Sequence, residues 1–194
     1  SNCAIEPEIV DLAEFLNSSG ANIIGAGSDT IIIEGVDNLK GVEYEVIPDR
    51  IEAGTFMVAA AAAGGECRIN NIVTDHIKPV ILKLREMGVE VEEMQNKILI
   101  KSDGNVANTD IKTLPYPGFP TDMQAQFTAL MTRGMGTGIV NETVFENRFM
   151  HIGELIKMGA NITVEGRTAV VRGVKSLAGA IAVSYTHLRA HETL

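Results

Sequence analysis

Tryptophan is missing from these 194 residues, aromatic side chains make up only 5%, and cysteine occurs twice. Cys3 and Cys67 are too few for a disulfide framework or a thiolate metal site. No basic start, apolar centre and cleavage site opens the chain, so a reducing cytoplasm is the expected setting. Cys67 lies in an alternating segment and reads as a small core residue rather than a nucleophile. Cys3 carries no catalytic signal. No run of about 18 apolar residues occurs, which excludes a membrane-spanning helix. The alanine block Val58 to Ala63 is too short for one and is closed by Gly64 and Gly65. Basic residues are the minority, 16 against 25 acidic, for a formal net charge of −9. With no cluster of Lys and Arg, nucleic acid is excluded as the main partner. A small anion stays possible, because a few arginines or a helix N-terminus hold a phosphate locally.

What the chain does have is a repeat. Helix-like apolar runs end at Gly20, Gly88 and Gly159, 68 and then 71 positions apart, and a hairpin pattern follows each. The glycine supplies the left-handed cap without a Cβ penalty. The strands are Ala21–Ile24 with Thr30–Glu34, Val89–Glu92 with Ile98–Lys101, and Ala160–Val164 with Thr168–Arg172. In the second and third copies more of the unit is legible. A helix over Asp49–Ala63 matches one over Asp122–Arg133, and alternating strands follow at Glu66–Ile72 and Thr137–Val144. Further helices begin near Asp75 and Asn147. The predicted class is α/β (α+β repeats), built from copies of one unit. At 45% hydrophobic and 21% charged, the composition suits a chain with a substantial core.

Chemistry belongs where the copies differ, since the shared positions are explained by folding. In Leu114–Phe127, three prolines within six residues make a stiff lead-in to a helix, with Thr121 and Gln124 spaced as a capping box. Asp122 would then sit in the first helical turn, either as helix-start charge placement or as a catalytic carboxylate. Asp49 begins the equivalent helix of the second copy, so an acidic start is also compatible with the repeat alone. The stretch Asn141–Phe149 crosses from a strand into a helix, where α/β proteins commonly build ligand sites. There Asn147 and Arg148 read either as ligand contacts or as a helix cap and an ion-paired side chain.

Four segments carry a resemblance: Glu6-Pro-Glu-Ile-Val, Pro48-Asp-Arg-Ile-Glu-Ala-Gly-Thr-Phe, Phe119-Pro-Thr-Asp-Met-Gln-Ala-Gln-Phe and Glu142-Thr-Val-Phe-Glu-Asn-Arg-Phe. In order and spacing they resemble the UDP-N-acetylglucosamine 1-carboxyvinyltransferase family of enolpyruvyl transferases, over about Glu6 to Ala180. The resemblance implies two lobes, each an inside-out α/β barrel of repeated βαβαββ units, with the active site between them. Residues 1–47 would finish the first lobe and 48–182 would form two units of the second, catalytic lobe. The implied reaction moves the enolpyruvyl group of phosphoenolpyruvate to the 3′-hydroxyl of UDP-N-acetylglucosamine, the first committed step of peptidoglycan precursor synthesis. Asp122 matches the aspartate beside that hydroxyl and Val144 a position contacting the UDP-sugar through its backbone. No metal or organic cofactor is implied, and no contact is assigned to Asp49, Arg50, Phe145 or Arg148.

The resemblance also has gaps. The family's lysine-asparagine pair, its reactive-cysteine loop and its basic grip on phosphoenolpyruvate have no counterparts here, and neither Cys3 nor Cys67 matches that cysteine. This fragment alone is therefore expected to be inactive and to expose apolar faces. From Val183 the sequence fits neither repeat nor family and reads as a non-native tail. His187, Arg189 and His191 are given no function. The competing readings are the sister enolpyruvyl transferase acting on shikimate 3-phosphate, and a non-catalytic repeat scaffold binding a nucleotide or a protein.

Overall fold

The computed structural model describes residues 1–183. The expected tail, with His187, Arg189 and His191, lies outside the described residues apart from Val183.

Helix α1 (Pro7–Ser18) starts with a proline, whose missing N–H costs nothing at that position, and leads to a hairpin of β1 (Asn22–Ile24) and β2 (Ile32–Glu34). Residues 35–49 then run without helix or strand. Hydrogen bonds to α1 hold that stretch: the Tyr44 hydroxyl donates to Asp11 Oδ1 at 2.9 Å and the Ile47 N–H to the same oxygen at 3.2 Å.

The second copy consists of α2 (Arg50–Ala63), β3 (Gly65–Asn70), a 3-10 turn (Thr74–Ile77), α3 (Lys78–Glu86), β4 (Glu90–Met94) and β5 (Lys97–Ser102). Its antiparallel sheet has the order β3-β5-β4. The third copy consists of β6 (Ile111–Lys112), a 3-10 turn (Thr121–Met123), α4 (Gln124–Met131), β7 (Thr137–Asn141), α5 (Met150–Lys157), β8 (Asn161–Glu165) and β9 (Thr168–Arg172). Its sheet has the order β6-β7-β9-β8, with β6 parallel to β7. The third copy thus follows the βαβαββ order in full. The second follows it from its first helix onward.

Both copies share one core. The alanine side chains of α2 let α4 approach closely, and Met57, Ile77, Ile81, Leu84, Ile98 and Ile100 join Phe127, Met131, Val140 and Val171 in one continuous apolar cluster. Phe119 and Phe127 meet edge to face, with centroids 5.0 Å apart. The β1–β2 hairpin is different: Ile24, Ile32 and Ile33 are all exposed, as are Val36, Leu39 and Val46 beyond it. Apolar exposure is therefore found at this hairpin.

All three repeated glycines close their helices in the same way. Gly20, Gly88 and Gly159 have φ of 101°, 91° and 94°. The N–H of the following residue reaches five residues back, Ala21 to Leu16, Val89 to Leu84 and Ala160 to Leu155, each at 3.0 Å. This is the Schellman closure, which satisfies the last carbonyls of each helix.

Several local expectations need correction. The capping box does not form, because the Thr121 hydroxyl is used elsewhere and no side chain caps that turn. Asp122 consequently lies in the 3-10 turn rather than in an α-helix. Asn147 is no cap either: it adopts φ 56°, and α5 begins only at Met150 after Phe149. Strand β7 stops at Asn141, short of Val144, because its partner β9 begins only at Thr168, and the N–H groups of Val144 and Phe145 turn to a side chain instead. Cys67 is half-buried in β3 rather than a core residue. The short strand β6 had no sequence signal.

Candidate active site

A cleft of about 960 Å³ lies between the start of α1, the start of α2 and the 3-10 turn before α4. Its walls carry Glu8, Arg50, Asp122, Arg148 and His151. Asp122 is half-exposed there, and its Oδ1 accepts from Arg148 Nη2 at 2.5 Å. Arg148 is held from two further sides. Its Nη1 donates to Thr121 Oγ1 at 2.9 Å, and its guanidinium lies 5.0 Å from the centroid of the Phe145 ring. Thr121 in turn donates to Glu142 Oε2 at 2.8 Å.

Glu142 is the centre of this group. Only 1% exposed, it follows Gly138 and Val140 on the inward side of the β7 alternation. Its Oε1 accepts from the Thr113 hydroxyl at 2.8 Å and from the N–H groups of Val144 and Phe145 at 2.9 and 3.0 Å. Burial pushes its pKa up, but the hydrogen bonds from Phe145, Thr113, Thr121 and Val144 outweigh that and hold it below the usual glutamate range. The carboxylate is therefore charged at neutral pH.

Asp122 lines the cleft, whereas Val144 does not: it sits on the adjoining turn, joined to Asp122 through Glu142, Thr121 and Arg148. The Val144 N–H is consumed by Glu142, so only its carbonyl is left for a ligand. Asp49 and Asp122 are not equivalent. Asp49 caps α2, its Oδ1 accepting from the N–H groups of Ile51 and Glu52 at 2.7 and 3.1 Å, while Asp122 makes no such bond.

At the start of α2, buried Arg50 is gripped by both oxygens of Glu8, at 2.8 and 3.3 Å, and lies 5.5 Å from the Tyr116 centroid. His151 presents a buried, unpartnered Nε2. Burial, and then the charge of Arg148, bring its pKa down to about 4, so the ring is neutral at pH 7. Among the described residues no three His, Cys, Asp or Glu side chains are grouped to hold a metal ion.

Sequence reasoning missed Glu142, the Glu8–Arg50 pair and His151. For Glu142 there was a readable signal, a carboxylate on the inward phase of an otherwise apolar strand.

Comparison with known proteins bears on this geometry. The chain is 61% identical over 193 residues to UDP-N-acetylglucosamine 1-carboxyvinyltransferase 1 of Caldanaerobacter subterraneus subsp. tengcongensis, covering 100% of this chain and 46% of that protein. It is 53% identical over 193 residues to the UDP-N-acetylglucosamine 1-carboxyvinyltransferase of Geobacter metallireducens, with the same coverage. The chain thus spans about half the length of the curated relatives it matches. Among solved structures, the enolpyruvyl transferase NikO from Streptomyces tendae superposes with a TM-score of 0.76 at 26% identity, covering 87% of this chain and 40% of that one. EPSP synthase from Acinetobacter baumannii shares the fold at a TM-score of 0.52 and 16% identity, covering 88% and 40%. The architecture is that of the inside-out α/β fold of enolpyruvyl transferases. The model of the EPSP synthase (3-phosphoshikimate 1-carboxyvinyltransferase) family matches residues 1–194, and the chain belongs to that family.

Proposed function

We propose that this chain forms one wall of the active site of a UDP-N-acetylglucosamine enolpyruvyl transferase. The 3′-hydroxyl of the sugar adds across the C2–C3 double bond of phosphoenolpyruvate, its oxygen bonding to C2 as it gives up its proton and C3 gaining one. The tetrahedral adduct then loses that C3 proton equivalent and inorganic phosphate to give the enolpyruvyl ether. The observation that carries this reading is the Asp122–Arg148 pair in the cleft, in a chain whose relatives at 53–61% identity bear that enzyme's name.

Asp122 would receive the hydroxyl. With Oδ1 already accepting from Arg148, its second oxygen makes no bond among the described residues and would accept from the hydroxyl. Orienting the nucleophile by that hydrogen bond is the role the pairing favours over full proton abstraction. Val144 would meet the UDP-sugar through its carbonyl, its N–H being engaged. In this reading residues 1–47 complete one lobe and 48–182 supply two units of the second. The remaining grip on phosphoenolpyruvate lies outside this chain, which is inactive alone, and the enzyme works in the cytoplasm.

The test is phosphate release from phosphoenolpyruvate and UDP-N-acetylglucosamine by a polypeptide extended to full family length, with and without Asp122→Ala. Turnover that falls by about 10²-fold or more in the variant supports the reading. Turnover with shikimate 3-phosphate in place of the UDP-sugar would establish the sister activity. Binding without turnover of either would leave a scaffold.

A further inference from the structure

We propose that Glu142 is a positioning residue, which aligns the Arg148–Asp122 pair through Thr121 and at the same time fixes the Val144–Phe145 turn. The inference deepens the enolpyruvyl-transfer reading and rests on it.

Burying a carboxylate is costly, and an apolar side chain would continue the inward face of β7 more cheaply. The charge that stands there instead spends its bonds on two segments beside the cleft, through Thr121 on one side and Val144 and Phe145 on the other. Its contact with Thr113, whose own oxygen accepts from the Thr143 N–H at 2.9 Å, pins it to the end of β6. Donor and acceptor counting then fixes a direction. An ionised carboxylate only accepts, so the single hydrogen of the Thr121 hydroxyl points to Glu142. The lone pairs of Thr121 are left for Arg148, and the relay runs one way, Arg148 to Thr121 to Glu142. An amide at position 142 breaks that order. If its oxygen keeps the two backbone N–H groups, its NH₂ faces Thr121, whose hydroxyl hydrogen has then lost its carboxylate acceptor and whose two lone pairs must serve both that NH₂ and Arg148.

The experiment is steady-state kinetics of phosphate release by the full-length protein carrying Glu142→Gln, Thr121→Val, Thr121→Ser and the Glu142→Gln/Thr121→Val double substitution. Glu142→Gln is expected to lower kcat by about 10- to 100-fold. It should raise KM for UDP-N-acetylglucosamine by about 3- to 10-fold, through the Val144 turn, and leave KM for phosphoenolpyruvate within about twofold. A merely structural loss of active protein would lower kcat and move neither KM. The double variant should be no more than about twofold slower than the worse single one, since both break one relay. Thr121→Ser, which keeps the hydroxyl, should stay within about threefold of the unsubstituted protein. If Glu142→Gln does not fold, the Thr121→Val and Thr121→Ser contrast carries the test. An active protein indifferent to Glu142→Gln, or to Thr121→Val, overturns the proposal, as do single effects that multiply in the double variant. No phosphate release by the unsubstituted protein would instead sink the functional reading itself.

Discussion

At the scale of single residues, the cleft owes its character to side chains whose ionisation is set by their surroundings. His151 is a clear case. Its pKa is depressed to about 4 from an ordinary 6.5, so unfolding takes up a proton wherever the pH lies between those values. Its contribution to stability is complete above about pH 6.5 and is lost as the pH falls towards 4. Urea midpoints measured between pH 7 and 5 should fall for the unsubstituted chain and fall less for His151→Gln. The Glu8–Arg50 pair is asymmetric: the arginine side chain is 9% exposed and the glutamate 50%. Glu8→Gln strands a buried cation, yet water still reaches the position of its partner. A loss of about 1–2 kcal/mol is expected in urea unfolding, between the values for exposed and buried pairs.

At the scale of elements, the glycine closures separate conformational cost from steric cost. A Cβ at Gly88 or Gly159 would meet nothing within 4 Å, so alanine there suffers only the left-handed φ, about 1–2 kcal/mol at each site. Gly138 and Gly173 leave no such room, since a Cβ would collide with the backbone carbonyls of Thr109 and Gly134. Alanine at either should cost clearly more in the same unfolding assay. The contrast explains what could be read beforehand. The helix ends were legible because a left-handed cap is decided within five residues of chain. Strand β6 was not, because its two residues are defined only by pairing with Val140 and Asn141. The capping box failed for a similar reason. Thr121 has one hydrogen to give, and the fold offers it a buried carboxylate 21 positions away. Asp122 and Val144 were singled out by family motif, whereas the link between them runs through Glu142, whose partners meet only in three dimensions.

At the scale of the whole molecule, the cleft is coupled to the packing of the two central helices. Gly54 on α2 faces Ile77 and Met123, and an added Cβ would stand 2.7 Å from Ile77 Cδ1 and 2.8 Å from Met123 Sδ. Both neighbours are fully buried, so Gly54→Ala sets about 1–3 kcal/mol of overpacking against the roughly 0.5–1 kcal/mol that alanine gains over glycine inside a helix, and a net loss is expected. Met123 adjoins Asp122 in the same turn, so the full-length protein should also lose phosphate-release activity at temperatures where it remains folded. A rise in stability with unchanged turnover would show that the seam has slack.

The Glu142 relay also bears on inheritance. Every residue in it, Thr113, Thr121, Asp122, Glu142, Val144 and Arg148, lies on one short contiguous stretch within the β6–β9 unit. Recombination that exchanges this unit between related genes carries the relay across intact. Crossovers inside it, between parents that differ at these positions, would separate donors from acceptors, so chimeras of such parents should tolerate breakpoints at its edges and fail at breakpoints between Thr121 and Glu142.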